Sequence, residues 1–228
     1  MPKARTNAQG RGSHSAGDGQ RTVMVWSALG VSMLGVAALL ALMSGGGTRS
    51  ARAGMALSPL VQLSRPGTLE PVFATRAPMQ DGRWAAIVIH DSGSPVGGSA
   101  DLDQQARAEG LDGLGYHFVV GNGVGMDNGA IHVGYRWLEQ LPGAHVAGAR
   151  AEGINRVSIG VCLVGDGSRQ AFTEAQLSSL AQLVAALADR CSIPTESIVL
   201  HSDLSEVTSP GRFFPRDAFL EQVRALRR

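Results

Sequence analysis

The first pattern along the chain is a long stretch without charge. Residues 22–48 contain no Asp, Glu, Lys or Arg, and residues 23–43 form an almost unbroken apolar run. As a helix, that run extends about 32 Å at ~1.5 Å per residue, enough to cross a hydrocarbon core of about 30 Å. It is apolar on every face, which suits lipid better than the one-sided packing of a core helix. Lys3, Arg5, Arg11 and Arg21 precede it against Asp18, and Arg49 and Arg52 follow it. The heavier basic flank stays in the cytoplasm, so the bulk of the chain is expected on the outer side. The competing reading is a cleaved leader. Ala51-Arg52-Ala53 has the small-x-small form, but it lies well past the run, which is itself longer than the ~7–15 residues of a typical signal-peptide core. The expected organisation is therefore a cytoplasmic basic tail (1–21), a transmembrane anchor or uncleaved signal (22–44), a flexible Gly/Ser/Pro-bearing linker (45–70) and an exported domain (71–228).

Within 71–228 the pattern changes to short apolar runs ended by turn residues. Ala85-Ala86-Ile87-Val88-Ile89-His90 is a β-rich run closed by Asp91-Ser92-Gly93-Ser94-Pro95. Tyr116-His117-Phe118-Val119-Val120 is a second, closed by glycines 121, 123 and 125, and residues 131–135 are placed to pair back as a hairpin. Ser158-Ile159-Gly160-Val161-Cys162-Leu163-Val164 is continuously apolar, as expected of a central strand covered on both faces. Thr173-Glu174-Ala175-Gln176 matches a capping box, and Leu177, Leu180, Leu183, Val184, Leu187 and Cys191 follow at helical spacing. Ile198-Val199-Leu200 is a further buried strand, followed by His201, and residues 215–227 read as a terminal helix. Strands alternating with helices predict an α/β domain with a mixed central sheet flanked by helices.

Composition sharpens this picture. Charged residues make up only 17% of the chain and apolar ones 44%, which excludes a charge-driven disordered protein. Two cysteines exclude a disulfide scaffold or an all-thiolate zinc cage. The net charge of +1 conceals a +5 segment, residues 1–70 with seven basic and two acidic residues, and a −4 domain. A mildly acidic domain without a single lysine does not fit a nucleic-acid binder. The glycines at 121, 123 and 125 lack dinucleotide-loop spacing and a Walker lysine, so a hairpin turn accounts for them. Export permits a Cys162–Cys191 disulfide, which the sequence alone does not specify.

Two strands end at histidines, His90 and His201. In α/β sheets ligands gather where strands end and loops begin, and neutral imidazoles are good zinc ligands. At these residues the chain resembles the type 2 N-acetylmuramoyl-L-alanine amidases, a family that includes phage amidases and peptidoglycan recognition proteins. The resemblance runs from about Trp84 to Phe219. It is carried by Ile87-Val88-Ile89-His90, Gly115-Tyr116-His117-Phe118, Gly143-Ala144-His145, the 155–165 segment beginning Asn155-Arg156, Phe172-Thr173-Glu174-Ala175-Gln176-Leu177, and His201 followed by Ser209-Pro210-Gly211.

The resemblance implies a zinc hydrolase that cuts the amide between N-acetylmuramic acid and L-alanine of the peptidoglycan stem peptide. It implies His90 and His201 as ligands of Zn2+, Tyr116 as the catalytic residue beside the metal-bound water, and His145, Asn155, Thr208 and Arg212 as contacts to muramyl peptide. Zinc chemistry of this kind lowers the pKa of bound water to about 7 and polarises the scissile carbonyl. Two departures bear on it. Ser209 stands where active members carry a Cys or Asp ligand, and Val207 stands where they often carry Lys or Thr. Cys162 occupies a central-strand position where some relatives have a catalytic glutamate. Asp203 reads as a turn-stabilising carboxylate, and His117 and His132 as packing or surface residues. The expected function is a membrane-anchored peptidoglycan amidase, with its domain in the periplasm or extracellular cell-wall space. The alternative is a non-catalytic peptidoglycan-binding pseudoenzyme, because of Ser209.

Overall fold

In the computed structural model of the 228-residue chain, Leu60–Val61 and residues 69–227 are described. The expected cytoplasmic tail, the 22–44 anchor and most of the 45–70 linker lie outside the described residues. Among the described residues no helix is long and apolar enough to cross a membrane.

The domain is built on a six-stranded mixed sheet in the order β1-β4-β3-β5-β2-β6. Its strands are β1 (Leu60–Val61), β2 (Ala86–Asp91), β3 (Phe118–Val120), β4 (Ile131–Val133), β5 (Ser158–Leu163) and β6 (Ile198–Leu200). β3, β5, β2 and β6 run parallel, and the hairpin partner β4 and the edge strand β1 are antiparallel to their neighbours. β5 is buried along its whole length, as a central strand covered on both faces should be. β3 begins at Phe118, two residues later than its apolar run, and β1 pairs with β4 from within the segment read as linker.

The helices are α1 (Ser99–Ala108), α2 (Tyr135–Leu138), α3 (Ala151–Val157), α4 (Glu174–Arg190) and α5 (Arg216–Leu226). α4 starts as its capping box predicts. Thr173 Oγ1 accepts from the Gln176 amide and Gln176 Oε1 accepts from the Thr173 amide, both at 3.1 Å. Gln176 does more than close the cap. Its Nε2 also donates to the carbonyls of Val164 (2.8 Å) and Val120 (3.3 Å), which fastens the helix start to the ends of β5 and β3.

Alternation along the strands sends the two faces of the sheet to different partners. Ile87, Ile89, Ile159, Val161 and Leu163 join Leu180, Leu183, Val184 and Leu187 of α4 and Phe219 and Val223 of α5 in the main core. Val119 and Cys162 point the other way, into a smaller cluster with Leu114, Met126 and Val164, against which Leu102 and Tyr116 pack. The two cysteines are free, Cys162 within the smaller cluster and Cys191 against the main core.

Candidate functional site

The site forms on the second face, at the ends of the parallel strands. His90 is paired in register with Cys162, so both side chains leave the sheet on the face opposite the main core. β6 stops at Leu200, and a single 3-10 turn beginning at His201 brings that imidazole over β2. The His90 and His201 ring centroids lie 4.4 Å apart, and Tyr116 stands edge-on to His90 at 5.2 Å. The three residues read from the sequence as metal and catalytic groups are thus brought together.

His145 completes the cluster. Its Nδ1 lies 3.0 Å from His90 Nε2, and its Nε2 faces the Ser158 carbonyl at 3.4 Å. A carbonyl only accepts, so His145 carries its proton on Nε2, and its bare Nδ1 receives the Nε2–H of His90. The ring fits because two neighbours have no side chain. A Cβ at Gly160 or at Gly143 would overlap His145 Cδ2. Asn155 fixes the loop behind it: Oδ1 accepts from the amides of His145 (3.1 Å) and Val146 (3.0 Å), and Nδ2 donates to the Val146 carbonyl (2.8 Å). Asn155, read as a substrate contact, lines the groove at this site while its amide holds this loop.

Burial keeps these groups neutral. His90 is held well below the ordinary 6.5 by desolvation, then by His145 and His201, and His145 is pushed down to about 4, mainly by desolvation. His201 is lowered by partial burial while Asp91 pulls it back. Burial raises Tyr116 well above 10, which keeps it a neutral phenol, and the buried Cys162 thiol beside it is also raised. Cys162 has none of the electropositive surroundings that a nucleophilic thiolate needs. His117 is buried on the structural side, accepting from the Gly160 amide at Nδ1 and donating to the Leu141 carbonyl from Nε2.

Tyr116, His145 and His201 of this cluster line a groove of about 440 Å³, with His90 buried beneath them, within the usual range for small-ligand sites. One wall is α1, which presents Leu102, Gln105, Ala106 and Glu109; these fall at i, i+3, i+4 and i+7, one helical face. The 144–147 loop forms the facing wall, with His145, Tyr116 and His201 between. Thr208 and Arg212, expected as substrate contacts, are exposed and do not line it. Arg212 lies over the Phe213 ring. Sequence reasoning missed the α1 wall, whose one signal was this four-residue stripe.

The resemblance implies zinc, and the donor set decides whether these residues fit it. A catalytic zinc takes three protein ligands and keeps one open position. His90 and His201 supply two nitrogens. At the third place is a neutral hydroxyl, and Ser209 Oγ accepts the backbone amide of Asp91 at 3.0 Å. The Asp91 carboxylate is turned to the Gly167 amide (2.9 Å), and Asp203 caps the Leu200 amide and pairs with Arg216. Among the described residues no group of three or more His, Cys, Asp or Glu side chains could hold a metal ion. The residues present do not fit a three-ligand zinc site.

A histidine-floored groove at the ends of parallel strands, on a mixed sheet backed by helices, defines the class: an amidase or recognition domain of the peptidoglycan-directed fold. The chain belongs to the N-acetylmuramoyl-L-alanine amidase family, whose model matches residues 80–212. In fold it is similar to the N-acetylmuramoyl-L-alanine amidase LysC from Clostridium intestinale, with a TM-score of 0.53, 23% identity, and coverage of 66% of this chain and 93% of that one. It is also 24% identical over 135 residues to peptidoglycan recognition protein 3 of Homo sapiens, and likewise to that of Mus musculus. Each match covers 55% of this chain but only 36% and 35% of the relative, so the chain spans about a third of the length of these curated relatives.

Proposed function

We propose that this domain is a peptidoglycan-recognition module, which seats muramyl peptide in the groove between α1 and the 144–147 loop without cutting it. The observation that carries this reading is Ser209, a hydroxyl engaged by the Asp91 amide where an anionic ligand is required. Two neutral imidazoles and a neutral oxygen hold zinc far less tightly than a set completed by thiolate or carboxylate. The remainder of the groove is suited to binding. It is concave and partly apolar, with the Tyr116 phenol and the His201 imidazole available as polar contacts. Residues 22–44 would tether it to the membrane, with the domain in the periplasm or the extracellular cell-wall space.

The test uses the full-length chain in detergent, with muramyl peptide as ligand. Binding without release of free stem peptide, and zinc well below one equivalent, is the expected result. Ser209→Cys should raise zinc affinity by at least about tenfold, because it restores a thiolate at the third place. The second reading, hydrolysis through an atypical zinc site, is favoured by the convergence of His90, Tyr116 and His201. Stem-peptide release by the wild-type chain, lost in His201→Ala and on chelation, would establish that reading and overturn the first.

A further inference from the structure

A second cavity, of about 240 Å³, lies away from the groove. Trp84, which lines it, leads into the start of β2, whereas the groove lies where β2 ends. One wall is the turn at 79–82, and the other is the C-terminal end of α4 with Cys191 and Ser192. Both walls turn through left-handed backbone, Gly82 at φ 69° and Ser192 at φ 54°. Such a position after a helix is normally glycine's, and Ser192 there puts a hydroxyl-bearing residue on the cavity wall.

The floor is apolar. Met79 and Cys191 pack against the main core. Trp84 is buried and gives its indole N–H to Gln140 Oε1 at 2.9 Å, so it has only hydrocarbon to offer the cavity. The mouth is charged. Asp81 and Arg190 are exposed, one on each wall, and among the described residues neither is held in an ion pair. The neighbouring charges are engaged elsewhere. Asp189 pairs with Arg227, and Arg83 donates to the carbonyls of Arg156 and Gln140.

We propose that this cavity binds a free α-amino acid with a small apolar side chain, its carboxylate at Arg190, its ammonium at Asp81 and its side chain on the floor of Met79, Trp84 and Cys191. One cation and one anion across an apolar floor complement a zwitterion. A simple anion or a simple cation would find one partner there and one charge of its own sign. The volume sets the size, since it falls below the ~300–1,000 Å³ of larger small-molecule sites. The site is separate from the groove and does not rest on the recognition of muramyl peptide.

The experiment is an NMR titration of the 15N-labelled full-length chain in detergent with L-alanine, propionate and ethylamine at equal ionic strength. It is read at the amides of Gly82 and Ser192 and at the Trp84 indole N–H. Alanine should shift these signals with a Kd of about 1 mM, ordinary for so small a ligand. Propionate and ethylamine each lack one charge and should bind about two- to five-fold more weakly, the size of one exposed ion pair. Arg190→Gln should weaken alanine and propionate by that factor and leave ethylamine unchanged or tighter. Asp81→Asn should weaken alanine and ethylamine and leave propionate unchanged or tighter. No shift at about 50 mM alanine, equal binding of the three probes, or variants that bind alanine as the wild type does would overturn the proposal. Each of those results would leave the recognition reading of the groove standing.

Discussion

At the scale of single residues, the site depends as much on missing side chains as on present ones. His145 reaches His90 because Gly160, in the middle of the central strand, leaves room for its ring. Gly160→Ala would place a methyl group in that space, and the strand backbone cannot yield because it is paired on both sides. Expected is a loss of about 1–3 kcal/mol, typical of overpacking a tight site, read as a lower denaturant midpoint. An imidazole 15N resonance of His90 that no longer reports a donated Nε2 proton would accompany it. An unchanged midpoint would show that His145 swings aside without cost. Residue roles of this kind were only partly legible in the sequence. The meeting of His90 and His201 could be read because both follow strands of the sheet, and that of Tyr116 with them only through the family resemblance. The hold of Asn155 on the 145–146 loop could not be read, because an asparagine that fastens a loop has the same letter as one that only faces a groove, and Asn155 does both.

At the scale of elements, legibility followed burial. β5 and α4 were written plainly as a continuous apolar run and as a capped helix with an apolar stripe, since both are packed on the main core. α1 was not. It buries only Ala106, and of its Leu102-Gln105-Ala106-Glu109 face, which lines the groove, only Leu102 also packs against the smaller cluster, so its hydrophobic signal is thin. The helix that the sequence wrote least clearly is thus the one that walls the groove. The legible helix gives a direct test. Thr173→Ala removes the acceptor for the Gln176 amide and should cost about 1 kcal/mol, the usual value of an N-cap. Gln176→Ala should cost more, because it also leaves the Val164 carbonyl without its buried donor. Equal losses in thermal or urea unfolding would mean that the fastening to β5 contributes nothing.

At the scale of the whole molecule, three buried histidines and the partly buried His132 among the described residues link folding to protons. His90 and His117 are held well below 6.5, and His132 and His145 lie at about 4, in each case chiefly through burial. An unfolded chain takes up protons at these sites near pH 6.5 while the folded chain does not, so the unfolded state binds more protons between about 6.5 and 4. Stability is therefore full above about 6.5 and falls as the pH drops through that window, by up to about 1.4 kcal/mol per pH unit for each histidine. Urea midpoints measured at about pH 7.5, 6 and 5 should decline in that order. His132→Gln, away from the groove, should flatten the decline by one histidine's share. A flat profile would contradict the burial of these rings.

The sheet also has consequences for how copies of this chain meet. Its edges are β1, with two residues, and β6, with three, and the turn that carries His201 into the groove is also what cuts β6 short. Among the described residues neither edge offers a row of free backbone groups long enough to template an added strand. Ending β6 to turn His201 into the groove thus also shortens the edge at which another copy of the chain could add a strand.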